Sequence, residues 1–285
     1  QMIWLFKFAA LLPLWLMRGI GLGLGWLVWL ASAKYRQVMR ENWQTALASN
    51  ALGLEPAKAQ GRFRDAIGHA GLIATELPKI WCDPKVIEKM TVSGIEALQA
   101  LNSAGKPILF LTPHLGAFEL SARKVSTYFP ITVLYRPARQ ASFRRLMETL
   151  RPLPAMSTAP ANSAGVRQLL RALRKGEAVG MLPDQVPSQG DGVWADFFGK
   201  PAYTMTLPLR LAQASDAALV WALAVRTKQG WHLDLAVWEI GESLKAMSLE
   251  QGAQLMNQEL MRQIARAPDQ YLWAYNRYKT PKGAP

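Results

Sequence analysis

The sequence predicts an α/β fold: a central, mostly parallel or mixed sheet flanked by helices, preceded by an apolar N-terminal membrane helix. Three observations lead to this prediction. Short apolar runs alternate with segments of helical spacing along most of the chain, which is the rhythm of α/β domains. Residues 3–33 are almost entirely apolar. At 285 residues, the chain is long enough for one large domain together with such a segment.

The apolar segment 3–33 is predicted to bind a membrane. Only Lys7 and Arg18 interrupt it. The uncharged run after Arg18 is shorter than the ~20 residues that cross a bilayer core, so one tilted span and a two-helix hairpin in the interface both fit. A cleaved signal peptide is a third alternative, because residues 31–33 have the small side chains of a cleavage site. The alternating glycines at 19, 21, 23 and 25 either let another helix approach closely or are simply flexible.

The charge pattern gives the expected orientation. Lys34, Arg36 and Arg40 directly follow the apolar segment, and basic residues tend to stay on the cytoplasmic side of a membrane. We therefore expect a membrane anchor over residues 2–33 and a cytoplasmic catalytic domain over residues 34–285. The whole chain has 33 Lys and Arg against 20 Asp and Glu, a formal net charge of +13, which favours a negatively charged partner without identifying it.

The body is predicted as one domain, because no linker rich in Ser, Gly or Pro divides it. Two helices are expected over about 35–80, broken near Gly53. The further expected elements are a helix near 95–102, a strand 107–111, a helix 116–129, a strand 131–135, helices 142–151 and 163–175, a strand 178–182, a loop 183–199, a helix ending near 214, a β-hairpin of 218–226 and 231–238, and a helix 249–267.

The sharpest chemical feature is the segment 111–119, Leu-Thr-Pro-His-Leu-Gly-Ala-Phe-Glu, where an apolar strand turns into a helix. Ligands of α/β sheets bind at the carboxyl ends of the strands. There, Glu119 is expected to accept a hydrogen bond from one imidazole nitrogen of His114 and leave the other nitrogen as a general base. An alcohol that attacks a thioester needs such a base. Taken alone, the pair also fits an ordinary hydrogen-bonded histidine at a helix start.

Two more polar residues follow predicted strands. Arg136 lies at the end of the strand 131–135, where its guanidinium would hold a phosphate or carboxylate of an acceptor, or stabilise charge on a carbonyl oxygen. Asp184 has the equivalent place after the strand 178–182. It would orient Arg136, bind a sugar hydroxyl, or serve only as a turn residue.

Several classes of site lack their motifs. The single cysteine, Cys82, excludes an intrachain disulfide and a thiolate cluster. His69 and His232 have no partner at metal-ligand spacing, and there is no GxSxG, Walker or HExxH motif, so neither a metal nor a cofactor is expected. Two arginine sets would dock an acidic carrier protein or lipid headgroups, or are solvated faces: Arg167, Arg171 and Arg174 on one helical face, and Arg139, Arg144, Arg145 and Arg151 around the second strand end.

Four ordered blocks resemble the lysophospholipid acyltransferase superfamily, in particular its lipid A late acyltransferase branch. The blocks are the segment around His114 and Glu119, then Leu134-Tyr135-Arg136-Pro137, Leu182-Pro183-Asp184-Gln185 and Asp196 to Thr204; the ending Tyr271 to Lys279 also resembles that branch. Lys200 and Thr204 lie in the fourth block and are candidates for substrate contacts. The neighbouring pair Phe197 and Phe198 would give apolar surface for an acyl chain, or belong to the core.

The resemblance implies a lipopolysaccharide-biosynthesis enzyme of the bacterial inner membrane. It would move a fatty acyl chain from acyl carrier protein to a hydroxyl of a phosphorylated lipid A precursor on the cytoplasmic side, with His114 as base. One alternative is the same chemistry on a lysophospholipid, a mannoside glycolipid or an acylated amino acid. The other is a noncatalytic membrane-tethered protein that binds anionic lipid or nucleic acid, although the chain has no RNA-binding aromatic motif and no nucleic-acid partner is expected.

Overall fold

A seven-stranded sheet forms the centre of the computed structural model, which describes residues 2–138, 140–240, 243–281 and 283. Its strands are β1 (Thr91–Ser93), β2 (Ile108–Leu111), β3 (Ile131–Tyr135), β4 (Met156–Pro160), β5 (Ala178–Met181), β8 (Ala218–Arg226) and β9 (Trp231–Val237). They lie in the order β1-β9-β8-β2-β5-β3-β4, and every neighbouring pair is parallel except β8 and β9. The predicted α/β class with a mostly parallel sheet is confirmed.

Helices cover both faces of this sheet. They are α1 (Met2–Ala9), α2 (Leu14–Ala31), α3 (Ala33–Ala48), α4 (Pro56–Thr75), α5 (Leu77–Cys82), α6 (Lys85–Lys89), α7 (Ile95–Ser103), α8 (Glu119–Val125), α9 (Ala141–Leu150), α10 (Ser163–Arg174), α11 (Leu207–Ser215), α12 (Ser243–Ala246) and α13 (Leu249–Arg266). A 3-10 turn, Pro268–Gln270, follows α13.

The central strand β2 divides the core into two halves. Leu109 and Leu111 pack into the half that includes α10, α11 and α13, while Ile108 and Phe110 pack into the half that includes α7 and α8. All four side chains are buried, as expected for a parallel strand with helices on both faces. The sequence of β2 therefore lacks the alternation of apolar and polar residues that a half-exposed strand shows. Because β2 is buried on both faces, it fixes the position of the turn that follows.

The predicted loop 183–199 is wrong in its second half. Residues Gly192–Phe197 form β6, which pairs antiparallel with β7 (Lys200–Met205) as a separate two-stranded sheet. The turn between them uses Phe198 and Gly199, both with positive φ (52° and 74°). Hairpin turns with positive φ at both central residues normally carry Asn-Gly or Asp-Gly. Phe198 does not match this pattern, so the turn could not be predicted from the sequence.

By its length and composition alone, helix α2 could cross a membrane, and it also packs along α4. Glycines let the two backbones touch: a Cβ on Gly71 would lie 2.0 Å from the Gly21 carbonyl oxygen. Arg18 of α2 forms an ion pair of 2.9 Å with Glu76, whose side chain is fully buried. The glycines at 21 and 25 thus do admit a close helix, and that helix belongs to the same chain.

Candidate active site

The carboxyl ends of β2, β5 and β3 lie side by side at one edge of the sheet, because these three strands are parallel neighbours. His114 follows β2, Asp184 follows β5 and Arg136 follows β3. This edge is where α/β sheets bind their ligands. The sheet order therefore brings together residues that are far apart in the sequence.

His114 is held by Asp184. Its Nδ1 lies 2.7 Å from Asp184 Oδ1, and its backbone N–H donates to Asp184 Oδ2 at 2.8 Å. Because an ionised carboxylate only accepts hydrogen bonds, the proton of the neutral imidazole belongs on Nδ1, and Nε2 is left as the acceptor. Nε2 lies 3.1 Å from the side-chain amide nitrogen of Gln185, which donates to it. The arrangement fixes both the ring orientation and the tautomer.

Asp184 remains ionised although its side chain is almost completely buried. Burial alone would raise its pKa, but the positive charge that His114 carries when it is protonated, together with the hydrogen bonds from its side chain and backbone, outweighs burial, and the pKa lies below its ordinary value. The hydroxyl of Tyr271 lies close enough to Asp184 to be affected by its charge. Burial, followed by the Asp184 charge, raises the pKa of Tyr271 well above its ordinary value, so this hydroxyl stays a donor.

The loop that carries His114 is fixed by residues 270–273, which we call the C-terminal strap. The N–H of Leu272 donates to the His114 carbonyl at 3.0 Å, and the N–H of Gly116 donates to the Gln270 carbonyl at 2.9 Å. Gly116 has φ +61°, and a Cβ there would lie 2.2 Å from the carbonyl oxygen of Ala224. Glycine is therefore required by backbone conformation and by space.

The predicted hydrogen bond between Glu119 and His114 is wrong. Glu119 instead accepts two hydrogen bonds from Arg151, Nε to Oε2 at 3.0 Å and Nη2 to Oε1 at 3.1 Å, and a third from Trp81 Nε1 at 3.2 Å. Both nitrogens of His114 already have other partners, Asp184 and Gln185. The guanidinium fork of Arg151 matches a carboxylate, so the two form a separate bidentate pair.

A narrow apolar cavity lies next to this ion pair. Glu119 and Arg151 contribute to its lining, and the rest of the wall includes Phe110, Phe118, Val133 and Met181. Its volume is about 30 Å³, which is room for about one water molecule. The cavity lies between α8 and the strands β2, β3 and β5, so it runs from the carboxyl ends of these strands into the core.

The other predicted contacts have different surroundings. Arg136 is exposed, and both oxygens of the Asp184 carboxylate bind His114, so the expected orientation of Arg136 by Asp184 is not made. Lys200 is exposed, with its Nζ 5.9 Å from the ring centre of Tyr278.

Thr204 is fully buried, and its expected contact with substrate is not available to it in this structure. Its hydroxyl accepts hydrogen bonds from Arg277 at 2.8 Å and from Asn257 at 2.9 Å. The β-hairpin of β6 and β7 is braced in this way against α13 and the C-terminal residues. Thr204 thus belongs to the packing of the fourth block.

The members of the two predicted arginine sets have different surroundings. Arg167, Arg171 and Arg174 are exposed along α10, and Arg144 and Arg145 are exposed on α9, whereas Arg151 is bound to Glu119. Arg139 lies outside the residues that the structure describes. His69 contacts Asp269, and His232 contacts Thr91 and Ser93 at the sheet edge, away from His114 in the strand order.

Comparisons with known proteins identify the family of this chain. The family described as bacterial lipid A biosynthesis acyltransferase matches residues 2–280. The lipid A biosynthesis palmitoleoyltransferase of Escherichia coli strain K12 is 28% identical over 214 residues, covering 73% of this chain and 68% of the relative.

Two further relatives are similar. The lipid A biosynthesis lauroyltransferase of the same strain is 28% identical over 219 residues, covering 75% of this chain and 70% of the relative. A lipid A biosynthesis acyltransferase of Haemophilus influenzae is 24% identical over 275 residues, covering 94% and 86%. With nearly all of its length matched, the chain belongs to the bacterial lipid A biosynthesis acyltransferase family and is an acyltransferase.

Proposed function

We propose that this protein transfers a fatty acyl chain from the thioester of acyl carrier protein to a hydroxyl of a phosphorylated lipid A precursor. The reaction takes place at the cytoplasmic face of the bacterial inner membrane, with residues 2–33 as anchor and residues 34–285 as catalytic domain. The observation that carries the chemistry is the hydrogen bond from His114 Nδ1 to the buried carboxylate of Asp184, which leaves Nε2 as the base.

His114 acts as general base and then as general acid. Its Nε2 takes the proton of the acceptor hydroxyl while the hydroxyl oxygen attacks the thioester carbonyl, and the substrate oxygen replaces the Gln185 amide that now lies at Nε2. The tetrahedral intermediate then collapses, the carbon–sulfur bond breaks, and the imidazolium returns the proton to the leaving thiolate. Asp184 stabilises the imidazolium through Nδ1.

The apolar cavity beside Glu119 and Arg151 is the proposed site of the acyl chain. Its present volume of about 30 Å³ is far below the roughly 300 Å³ of small-molecule pockets, so the wall must open when the chain enters. Glu119 supports the reaction by fixing the Arg151 guanidinium at the mouth of this cavity. The exposed cations Arg136 and Lys200 are the proposed contacts for the acceptor phosphates.

The test is mass spectrometry of a tetra-acylated, phosphorylated lipid A precursor incubated with acyl carrier protein thioesters. The wild type should add the mass of one acyl chain. Substituting His114→Ala or Asp184→Asn should lower the initial rate by roughly 10²- to 10⁴-fold, because the base or its orienting carboxylate is lost. His232→Ala is the matched control and should retain the wild-type rate, since His232 lies on β9, two strands away from β2, and its side chain contacts Thr91 and Ser93.

Two outcomes would contradict the proposal in different ways. Full activity of folded His114→Ala protein would exclude the general-base mechanism. No mass gain with any thioester, from protein that remains folded, would exclude the lipid A precursor as acceptor. The same assay would then be run with lysophospholipid, mannoside glycolipid and acylated amino acid acceptors.

A further inference from the structure

We propose that α1 and α2 lie in the plane of the membrane and enter only one leaflet of an anionic phospholipid bilayer. This inference rests on the membrane association proposed above and specifies its geometry. Among the described residues, every exposed large hydrophobic side chain except Tyr128 belongs to α1, α2 or the turn between them. The apolar patch is defined by Trp4, Phe8, Leu11, Trp15, Leu27 and Leu30, which are 62% to 77% exposed.

The opposite face of α2 is occupied by the body of the protein. Met17, Gly21, Gly25 and Trp29 recur every four residues and are buried, so they form one face of the helix. A Cβ on Gly25 would lie 2.2 Å from the carbonyl oxygen of Ile67 in α4, so the two helices are in backbone contact.

A membrane span by α2 would carry α4 into the bilayer beside it. Charged side chains would then enter the hydrocarbon core of the bilayer, which costs free energy. On α4 these are Lys58, Arg62, Arg64 and Asp65. Arg62 is moreover held by an ion pair of 2.9 Å to Asp269 beside the C-terminal strap. The α2 helix therefore lies along the body and presents only its outer face to lipid.

Two polar contacts fix this segment to the body. Arg18 pairs with the buried Glu76 and donates to the carbonyl oxygens of Thr227 and Gly230 in the β8–β9 turn. Withdrawing Arg18 into a span would take away one of the cations that neutralise Glu76 in the core. Lys79 donates to the Ala10 carbonyl at 2.8 Å and holds the turn that separates α1 from α2.

The charges around the apolar patch fit an anionic lipid surface. Lys7, Lys34 and Arg40 are exposed beside it, and the first acidic residue of the sequence is Glu41. Two copies of this segment would repel each other through these charges. Tryptophans at the patch, including Trp4 and Trp15, prefer the boundary between headgroups and acyl chains.

The decisive experiment measures depth at two positions of α2. Full-length protein with Cys82→Ser carries a fluorescent label on either Ile20→Cys or Leu30→Cys, both on the outer face. It is added to vesicles of phosphatidylethanolamine and phosphatidylglycerol that contain nitroxide lipids at shallow or deep acyl positions. The two labels, about 15 Å apart along a helix axis, should show the same shallow quenching profile. A label on Arg171→Cys of α10 is the control and should not be quenched.

A depth difference of ~12–15 Å between the two labels would overturn the proposal and establish a span. A second measurement, vesicle sedimentation, compares Leu27→Ser/Leu30→Ser with the matched control Tyr128→Ser. The double variant should bind roughly 10- to 100-fold more weakly because two apolar side chains no longer enter lipid, and the control should bind like wild type. Equal binding of both variants to the vesicles would also overturn the proposal. A dimer that buries the apolar patch and does not bind vesicles would overturn it as well. Neither readout depends on acyl transfer, so failure of the proposed activity remains distinguishable.

Discussion

Alanine substitutions at Gly23 and Gly25 should have opposite effects on stability. Both residues are helical, so replacing either by alanine gains the same ~0.5–1 kcal/mol of helix propensity. A Cβ on Gly23 would meet no atom within 4 Å, whereas a Cβ on Gly25 would lie 2.2 Å from the Ile67 carbonyl oxygen and 2.6 Å from that of Gly68. The pair therefore isolates the steric effect of the contact between α2 and α4.

The size of this effect follows from the distances. Real Cβ contacts essentially never fall below 3.0 Å, so the two helices must separate by about 1 Å at Gly25, and the atoms in the way are backbone atoms that cannot rotate aside. Such overpacking costs about 1–3 kcal/mol. Because the propensity gain cancels between the variants, Gly25→Ala should be less stable than Gly23→Ala by that amount, or by about 2–12 °C in unfolding midpoint.

The assay is thermal unfolding of the purified chain in one non-ionic detergent, followed by tryptophan fluorescence at a fixed heating rate. Gly71→Ala is a reciprocal test from α4, since its Cβ would lie 2.0 Å from the Gly21 carbonyl oxygen. Equal midpoints for Gly25→Ala and Gly23→Ala would refute the packing of α2 on α4. The close backbone contact that holds α2 along the body would then be absent, and α2 would be free to span the membrane.

Three further substitutions test the site. Gly116→Ala forces a Cβ onto a carbonyl of β8 at φ +61°, so acyl transfer should fall by roughly 10- to 100-fold while circular dichroism stays unchanged. Tyr271→Phe removes the polar hydroxyl beside Asp184; kcat should fall by about 3- to 10-fold with KM unchanged, and an unaltered kcat would contradict this positioning role. Burial would raise the pKa of Asp269, but the hydrogen bond and charge of His69 lower it below its ordinary value. That carboxylate therefore stabilises the fold at neutral pH and loses its effect as the pH falls through its lowered pKa, so Asp269→Asn should lower the midpoint at pH 7 and match wild type in strong acid.

The interior of the sheet was predictable because most of its strands are short apolar runs that are buried on both faces. β2, β3 and β5 are short apolar runs followed by turn or loop residues, and the β8–β9 hairpin is predicted with bounds close to those observed. The two outermost strands, β1 and β4, were not predicted. The first has only three residues, and the second includes Pro160, which weakens a strand pattern and is tolerated at an edge.

The candidate site was predictable in its residues and not in its contacts. His114 stands out because it ends a buried strand, but closeness in sequence favoured Glu119 as its partner. The actual partner depends on β5 lying next to β2, a pairing between distant segments that sequence spacing does not encode. The signal that was available is that Asp184 follows β5 at a position equivalent to that of His114 after β2. Glu119 instead forms an ion pair with Arg151, because a planar guanidinium binds a carboxylate through two hydrogen bonds.

The C-terminal strap has a consequence for biosynthesis. During translation, His114 and Asp184 leave the ribosome well before Gln270 and Leu272, and until those two arrive the histidine loop lacks the backbone partners that fix it. A chain halted after α13 would thus lack the two backbone hydrogen bonds that Gln270 and Leu272 make to the His114 loop. Because the backbone hydrogen bonds of the His114 loop come from a segment far along the sequence, this loop reaches its final geometry only after that segment has been translated and has folded against it.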